Sequence, residues 1–341
     1  MRPAGTIEMI PERRRDDVRA ALQAVFGTGT IGEFRPITGG VSGALILRFD
    51  VRERPHVLRL EPERVALHDR QRGFSCMVAA AAAGVAPPVH CADPATGVAI
   101  MDFVSTQPLS EHPGGPAGMV RALGALTARV QAITPFPMLG NYPEMIGAML
   151  AALTLSGLVA PGLLDPHVQG LARVRAALPW ETSSLVSSHN DPNPRNILFD
   201  GERVWLIDWE LAFRNDPLVD VAILATDLAA TPELEDVLLE AVFSRAPDRP
   251  LRARLHVIRL LTRLFYGCIV LDSFAGAPRS GPDASLAAFT PAAFRAAVMD
   301  GRLASGAPGT AYAFAKMSLA AFIDGLAAPG FGAVLEMAKQ G

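Results

Sequence analysis

The chain has 341 residues, 50% hydrophobic and 19% charged. That composition excludes wholesale disorder and supplies a sizeable core. The formal net charge of -3 excludes a bulk basic field of the kind that grips nucleic acid. The only lysines are Lys316 and Lys339, so arginine carries the positive charge of the first 315 residues. Cys76, Cys91 and Cys268 are widely spaced and lack zinc spacing, which reads as reduced thiols in a cytoplasmic protein. The segment from Met1 to Arg15 has no apolar signal-peptide core. Met145 to Leu164 is uncharged, but Gly147, Gly157, Pro161 and Gly162 interrupt it. A buried helix and turn is expected there, and no membrane span.

Residues 12 to 26 read as a helix, with Val18, Ala21, Leu22 and Val25 on one face and Gly27 as a stop. A glycine-rich turn, Ile37 to Gly43, leads into a strand at 44–49 and a second at 56–60, joined by the polar loop Asp50 to Pro55. An alanine-rich helix over 69–83 ends at Gly84. Short strands follow at 89–92 and 98–101 around the turn Asp93 to Gly97. Ser105 to Gly118 is rich in Pro, Gly and Ser and reads as a linker. Helices are then predicted at 119–133, 144–160, 166–177, 217–230, 232–243, 251–272 and 310–327, with a β-hairpin near 196–207. The outline is a β-rich lobe over 1–103, a hinge about 102–107, and a larger helical lobe over 104–341.

The most informative stretch is Ser187-Ser188-His189-Asn190-Asp191-Pro192-Asn193-Pro194-Arg195-Asn196, followed by two apolar runs and Asp208-Trp209-Glu210. If Asp200 to Arg203 form the hairpin loop, Phe199 faces Val204 and Asn196 lies opposite Ile207. A carboxamide and the carboxylate of Asp208 then emerge at one end of the hairpin. Two hard oxygen donors with room for water and phosphate oxygens suit Mg²⁺. Asp191 sits in a loop stiffened by Pro192 and Pro194, which suits a carboxylate that holds a hydroxyl in line with phosphorus. Asp191, Asn196 and Asp208 therefore form a set for phosphoryl transfer. Asp216 and Pro217 read as the N-cap and first residue of a helix.

The pattern H-x-D-x-x-x-x-N, a short hairpin and I-D resembles the protein-kinase-like phosphotransferases, and more nearly their small-molecule branch. His189-Asn190-Asp191 and Asp208-Trp209-Glu210 look most like choline/ethanolamine kinase-type sequences; aminoglycoside phosphotransferases more often read H-G-D and lack that Glu. The resemblance is densest over 185–225 and weaker over 37–107. It implies an α+β, bilobal fold, with the first lobe binding nucleotide and the second carrying the catalytic hairpin and the acceptor site. It implies Asp191 as catalytic base or hydroxyl-orienting residue, Asn196 and Asp208 as Mg²⁺ ligands, and His189 as a brace. It also implies Asp220 as an anchor of the catalytic loop.

On the nucleotide side the resemblance implies a cation on the third strand. Arg59 stands there, with Arg48 as runner-up, and a guanidinium can hold phosphate oxygens bidentately. The helical Glu that usually pairs with this cation is missing from Gln71 to Met77, and Asp69 or Glu63 could replace it. Gly39, Gly40 and Ser42 would form the phosphate-covering turn, although a plain hairpin turn fits the same residues. Met101 to Val104, including Asp102, would offer backbone groups to adenine. For a quaternary-amine acceptor, Trp209, Phe213, Phe265 and Tyr266 with Glu210 are the cage candidates, and ordinary packing is the alternative. Glu210 could instead meet a second metal. The remaining histidines, His90 among them, show no ligand spacing and read as structural. The expected function is ATP- and Mg²⁺-dependent transfer of a phosphoryl group to a small-molecule hydroxyl, on an amino-alcohol such as choline or ethanolamine. The rivals are an aminoglycoside or sugar phosphotransferase and, in another class, a non-catalytic nucleotide-binding regulator.

Overall fold

The computed structural model describes residues 7–37, 43–62, 69–178 and 180–340. The chain forms two compact units, one of residues 1–137, 186–214 and 227–244, the other of 138–185, 215–226 and 245–341.

The first unit opens with α1 (Arg15–Phe26), then β1 (Arg35–Pro36), β2 (Leu45–Val51) and β3 (Arg54–Leu60). After α2 (Arg70–Ala82) come β4 (Val89–Asp93) and β5 (Val98–Asp102). The five strands form one antiparallel sheet in the order β1-β2-β3-β5-β4. The expected loop at 50–55 is a tighter turn, with Arg52 and Glu53 at φ 50° and 65°. Period-two alternation sorts the side chains. Leu47, Phe49, Val51, Leu58, Leu60, Val98 and Ile100 share a core with Val18 and Leu22 of α1. Alternation puts Arg59, between Leu58 and Leu60, on the other face, where its cross-strand neighbours are Ile46 and Ala99.

The linker region enters α3 (Gly115–Gln131). Next come α4 (Tyr142–Leu155) and α5 (Asp165–Ala177). The stretch from 186 to 215 holds β6 (Val186–Ser188), the hairpin β7 (Ile197–Phe199) and β8 (Val204–Leu206), and β9 (Phe213–Asn215), which pairs with β6. The remaining helices are α6 (Leu218–Asp227), α7 (Pro232–Phe243), α8 (Arg249–Asp272), α9 (Pro291–Met299), α10 (Pro308–Ala327) and α11 (Phe331–Ala338). Of these, α9 and α11 were not predicted: each has fewer than ten residues and follows a Pro- and Gly-rich stretch.

The second unit is helix on helix, with α8 and α10 at its centre. A side chain on Gly267 of α8 would meet Leu319 Cδ2 at 2.8 Å, and one on Gly325 of α10 would collide with Leu260. Bare backbone at these positions sets how closely the two helices approach. No single helix among the described residues is long and apolar enough to cross a membrane.

Candidate active site

The hairpin forms in the expected register, with Phe199 opposite Val204 and Ile207 N–H donating to Asn196 O at 3.0 Å. Asp200 builds the turn: Oδ1 accepts from the N–H groups of Glu202 and Arg203, and Oδ2 from Trp205 Nε1 at 2.8 Å. Gly201 sits at φ 100°, and a Cβ there would lie 2.8 Å from Gln107 Nε2. The turn therefore needs glycine at that position.

Asn196 and Asp191 are joined directly. Asn196 Nδ2 donates to Asp191 O at 2.9 Å and to Asp191 Oδ2 at 3.0 Å. Asn193 Nδ2 donates to the other carboxylate oxygen at 2.8 Å. Both oxygens of Asp191 are thus held by amides, which fixes the carboxylate plane. Asn193 was missed in the sequence; the i, i+2 spacing of an Asx turn was the available signal.

His189 is fully buried. Its Nδ1 accepts from Asp191 N–H at 3.3 Å, so Nε2 carries the proton and donates to Ile207 O at 2.9 Å. One neutral tautomer therefore ties the Asp191 loop to the residue before Asp208. Asn190, also missed, takes a left-handed backbone (φ 64°). Its Nδ2 lies within reach of the carbonyls of Ser188, Leu211 and Phe213 at 3.0–3.3 Å, contacts that hold the conformation.

Asp208 is left-handed as well (φ 68°), a conformation that costs a non-glycine residue about 1–2 kcal/mol. It turns the chain from the hairpin into the tight turn Trp209–Leu211. Asp208 Oδ1 lies 2.9 Å from Arg59 Nη1 but off the N–H direction, so this buried oxygen accepts no hydrogen bond. With both amide hydrogens of Asn196 turned to Asp191, its side-chain carbonyl oxygen is left to coordinate a cation. Both are hard oxygens, and this pair fits Mg²⁺.

Arg59 explains the missing helical acid. Its guanidinium meets Asp208 Oδ1 at 2.9 Å, Glu210 Oε2 at 3.1 Å and Glu61 Oε1 at 3.4 Å. Burial would depress its ionisation, but the charges of Asp208, Glu210 and Glu61 outweigh that and raise it. Burial first, and then repulsion from Asp208, push the Glu210 carboxyl up to about 7 against the pull of Arg59. Glu61 was not foreseen as a partner. Asp69, one suggested substitute, instead caps α2 by accepting from Arg72 N–H. Within the helix segment searched for an acid stands Arg72, whose Nη2 donates to Glu210 O at 2.8 Å. The cation's partners come from its own strand and the Asp208-Trp209-Glu210 turn, and the helix secures that turn through its backbone. Arg48, the runner-up, lies over the Phe103 ring at 4.5 Å.

Other expectations fare differently. Gly39, Gly40, Ser42 and Glu63 lie outside the described residues. Asp102 N–H donates to Pro88 O and Phe103 N–H to Pro55 O, whereas Val104 N–H has no backbone partner among the described residues. Val104 is thus the residue of that segment with an N–H to offer. The aromatic cage is corrected: Trp209 and Phe213 are 3% and 1% exposed, Phe265 is also buried, and they pack as core. Trp209 leans on the His189 ring at 4.6 Å, while in the second unit Tyr266 packs edge-on against Phe265. Asp216 Oδ1 accepts from Leu218 N–H at the start of α6, and its Oδ2 pairs with Arg254 at 2.6 Å. Asp220 is buried in α6.

The fold and the family match define a phosphotransferase enzyme. Residues 33–255 match the model of the phosphotransferase enzyme family known as APH, and the chain belongs to that family. The structure is similar to a choline/ethanolamine kinase family protein from Mesorhizobium loti, with a TM-score of 0.68 and 24% identity over 96% of this chain and 100% of that one. Choline kinase LicA from Streptococcus pneumoniae gives 0.62 and 13% identity over 91% and 100%. A spectinomycin phosphotransferase gives 0.55 and 11% identity over 95% and 97%. These likenesses establish the fold. In sequence, Protein LicA of Haemophilus influenzae is 42% identical over 52 residues, 15% of this chain and 20% of that relative. The match thus spans only a fifth of that relative's length.

Proposed function

We propose that the chain transfers the γ-phosphoryl group of ATP to the hydroxyl of a small amino-alcohol, choline or ethanolamine being the first candidates. One observation carries the reading: the Asp191 carboxylate, clamped by Asn193 and Asn196, stands beside a hairpin that ends in Asp208. Asp191 orients the acceptor hydroxyl and takes its proton as the oxygen attacks phosphorus. Asn196 and Asp208 would hold Mg²⁺, which would neutralise charge on the phosphate oxygens. Arg59 adds fixed positive charge to the same phosphates, kept in position by Glu61 and Glu210. His189 holds the loop in one tautomer. Val104 and the rest of the 102–107 segment serve as the hinge between a nucleotide lobe (1–103) and an acceptor lobe (104–341). Three free thiols suit a cytoplasmic setting.

The Asp208-Trp209-Glu210 sequence supports an amino-alcohol over an aminoglycoside. The test is ADP release over amino-alcohols, sugars and aminoglycosides, with Asp191→Ala as the blank. Turnover restricted to an aminoglycoside or sugar would reject the acceptor assignment. Full activity in Asp191→Ala would reject the mechanism.

A further inference from the structure

His56, His90 and Asp102 have no ligand spacing in the sequence, and the sheet brings them together. His56 of β3 lies directly across from Asp102 of β5. On β4 the register slips, since Val89 pairs with Met101 while Cys91 pairs with Ile100. His90 is therefore the extra residue of a β-bulge, a device that re-aims a side chain. One ligand atom from each of the three lies within 4.8 Å of the others.

The chemistry of the group is unbalanced. His56 is 5% exposed, and its Nδ1 lies 2.8 Å from Arg54 O, which can only accept. Nδ1 therefore holds the proton, and in the neutral ring Nε2 presents a lone pair. Asp102 Oδ1 lies 3.9 Å from that Nε2. His90 Nε2 reaches the same oxygen at 2.6 Å. A cation shared by the three would meet the Nε2 lone pair and the carboxylate together. A carbonyl that fixes the tautomer of a ring is also the usual outer support of a ligating histidine. Phe26 stands edge-on to His56 at 4.8 Å and Phe49 stacks on it at 5.5 Å, walling one side with apolar rings. His90 and Asp102 keep side-chain exposures of 34% and 42%, which leaves an entry path.

We propose that His56, His90 and Asp102 form a transition-metal site for Zn²⁺ or a similar late first-row divalent ion, separate from the oxygen pair of Asn196 and Asp208. Two imidazoles and one carboxylate select such ions over Mg²⁺. Bonds of about 2.0–2.1 Å in a tetrahedron put ligand atoms roughly 3.3 Å apart. The contacts at 2.6 and 3.9 Å need only modest adjustment to reach that separation. As the metal enters, the proton on His90 Nε2 transfers through solvent to Nδ1, so the ring stays neutral and Nε2 presents a lone pair. The fourth position belongs to water. The bound ion ties β3, β4 and β5 together at the end where β5 runs into the 102–107 segment.

The test is titration of the chelator-treated full chain with Co²⁺. One equivalent should give the intense visible band of four-coordinate Co²⁺, and Zn²⁺ should bleach it. His90→Ala and Asp102→Asn, both at accessible positions, should abolish the band. They should also weaken Zn²⁺ by more than the roughly 10- to 100-fold that loss of an outer partner costs. Asp208→Asn should keep the band. Circular dichroism identical to wild type excludes misfolding of the variants. Absence of a band at millimolar Co²⁺ overturns the proposal, because His56 is then satisfied by a proton and not a metal. Persistence of the band in His90→Ala, or its loss only in Asp208→Asn, overturns it as well.

Discussion

The polar centre around Arg59 and the helical packing around α8 are held by different physics. At Arg59 one guanidinium faces three carboxylates, and Asp191 is clamped by two amides. Direction and charge decide every contact there, and two left-handed residues, Asn190 and Asp208, are tolerated because hydrogen bonds and ion pairs surround them. Around α8 and α10 shape decides, through Leu260 and Leu319 resting on bare glycine backbone. A substitution in the first region should therefore change chemistry more than stability, and one in the second the reverse.

Asp191→Ala should give the largest effect. Turnover should fall about 10³-fold, the usual range for losing a general base, while the melting temperature moves little. ADP-release kinetics and a thermal scan on the same sample check both halves. Gly325→Val is the counterpart. Driving a branched side chain into Leu260 should cost about 2–3 kcal/mol, read as a lower urea midpoint with an unchanged slope. A Gly325→Val protein that unfolds like wild type would remove shape as the organising factor of the helical unit.

Glu210→Gln sharpens the contrast, because it touches charge at constant size. Removing one of the three acids around Arg59 should lower kcat/KM for the nucleotide about 10-fold, near 1.4 kcal/mol. It also has a pH signature. Glu210 is raised to about 7 in the folded chain from an ordinary value of 4.5. The folded state thus binds the extra proton between those values. Its stabilisation is full below about 4.5 and is lost as pH rises through about 7. In metal-free protein, urea midpoints should show that decline in wild type and a flatter profile in Glu210→Gln.

The smallest effect belongs to the helical unit. Burial holds His167 below the usual imidazole range despite its contact with Leu319 O. The folded chain keeps it neutral, so stability should drop as pH falls below about 6.5, where the unfolded chain takes the proton first. His167→Gln should lose part of that acid slope in a urea series from pH 7 to 5.

Much of the catalytic stretch was legible because its parts are close in sequence. The register that brings Asn196 opposite Ile207 follows from a four-residue loop between two apolar runs. The strands and most helices followed from periodicity and from glycine stops such as Gly27 and Gly84. The acid partners of Arg59 were not legible. Searching the helix for a Glu found none, since the partners are Glu61, two residues along the strand, and Glu210, 151 residues away. The aromatic candidates misled for a related reason, since Trp209 and Phe213 flank the site in sequence but turn into the core.

The sequence by itself offered Asp191, Asn196 and Asp208 as the candidate donor set, and it put an arginine in place of lysine in the β-rich part. Local geometry suffices there, because a hairpin fixes neighbours within a few residues. The tertiary structure decided which carboxylates surround Arg59. It also decided that His56, His90 and Asp102 meet across β3, β4 and β5. Both depend on strand pairing and a bulge, which bring together groups from distant parts of the chain, and no spacing along the chain encodes such a meeting.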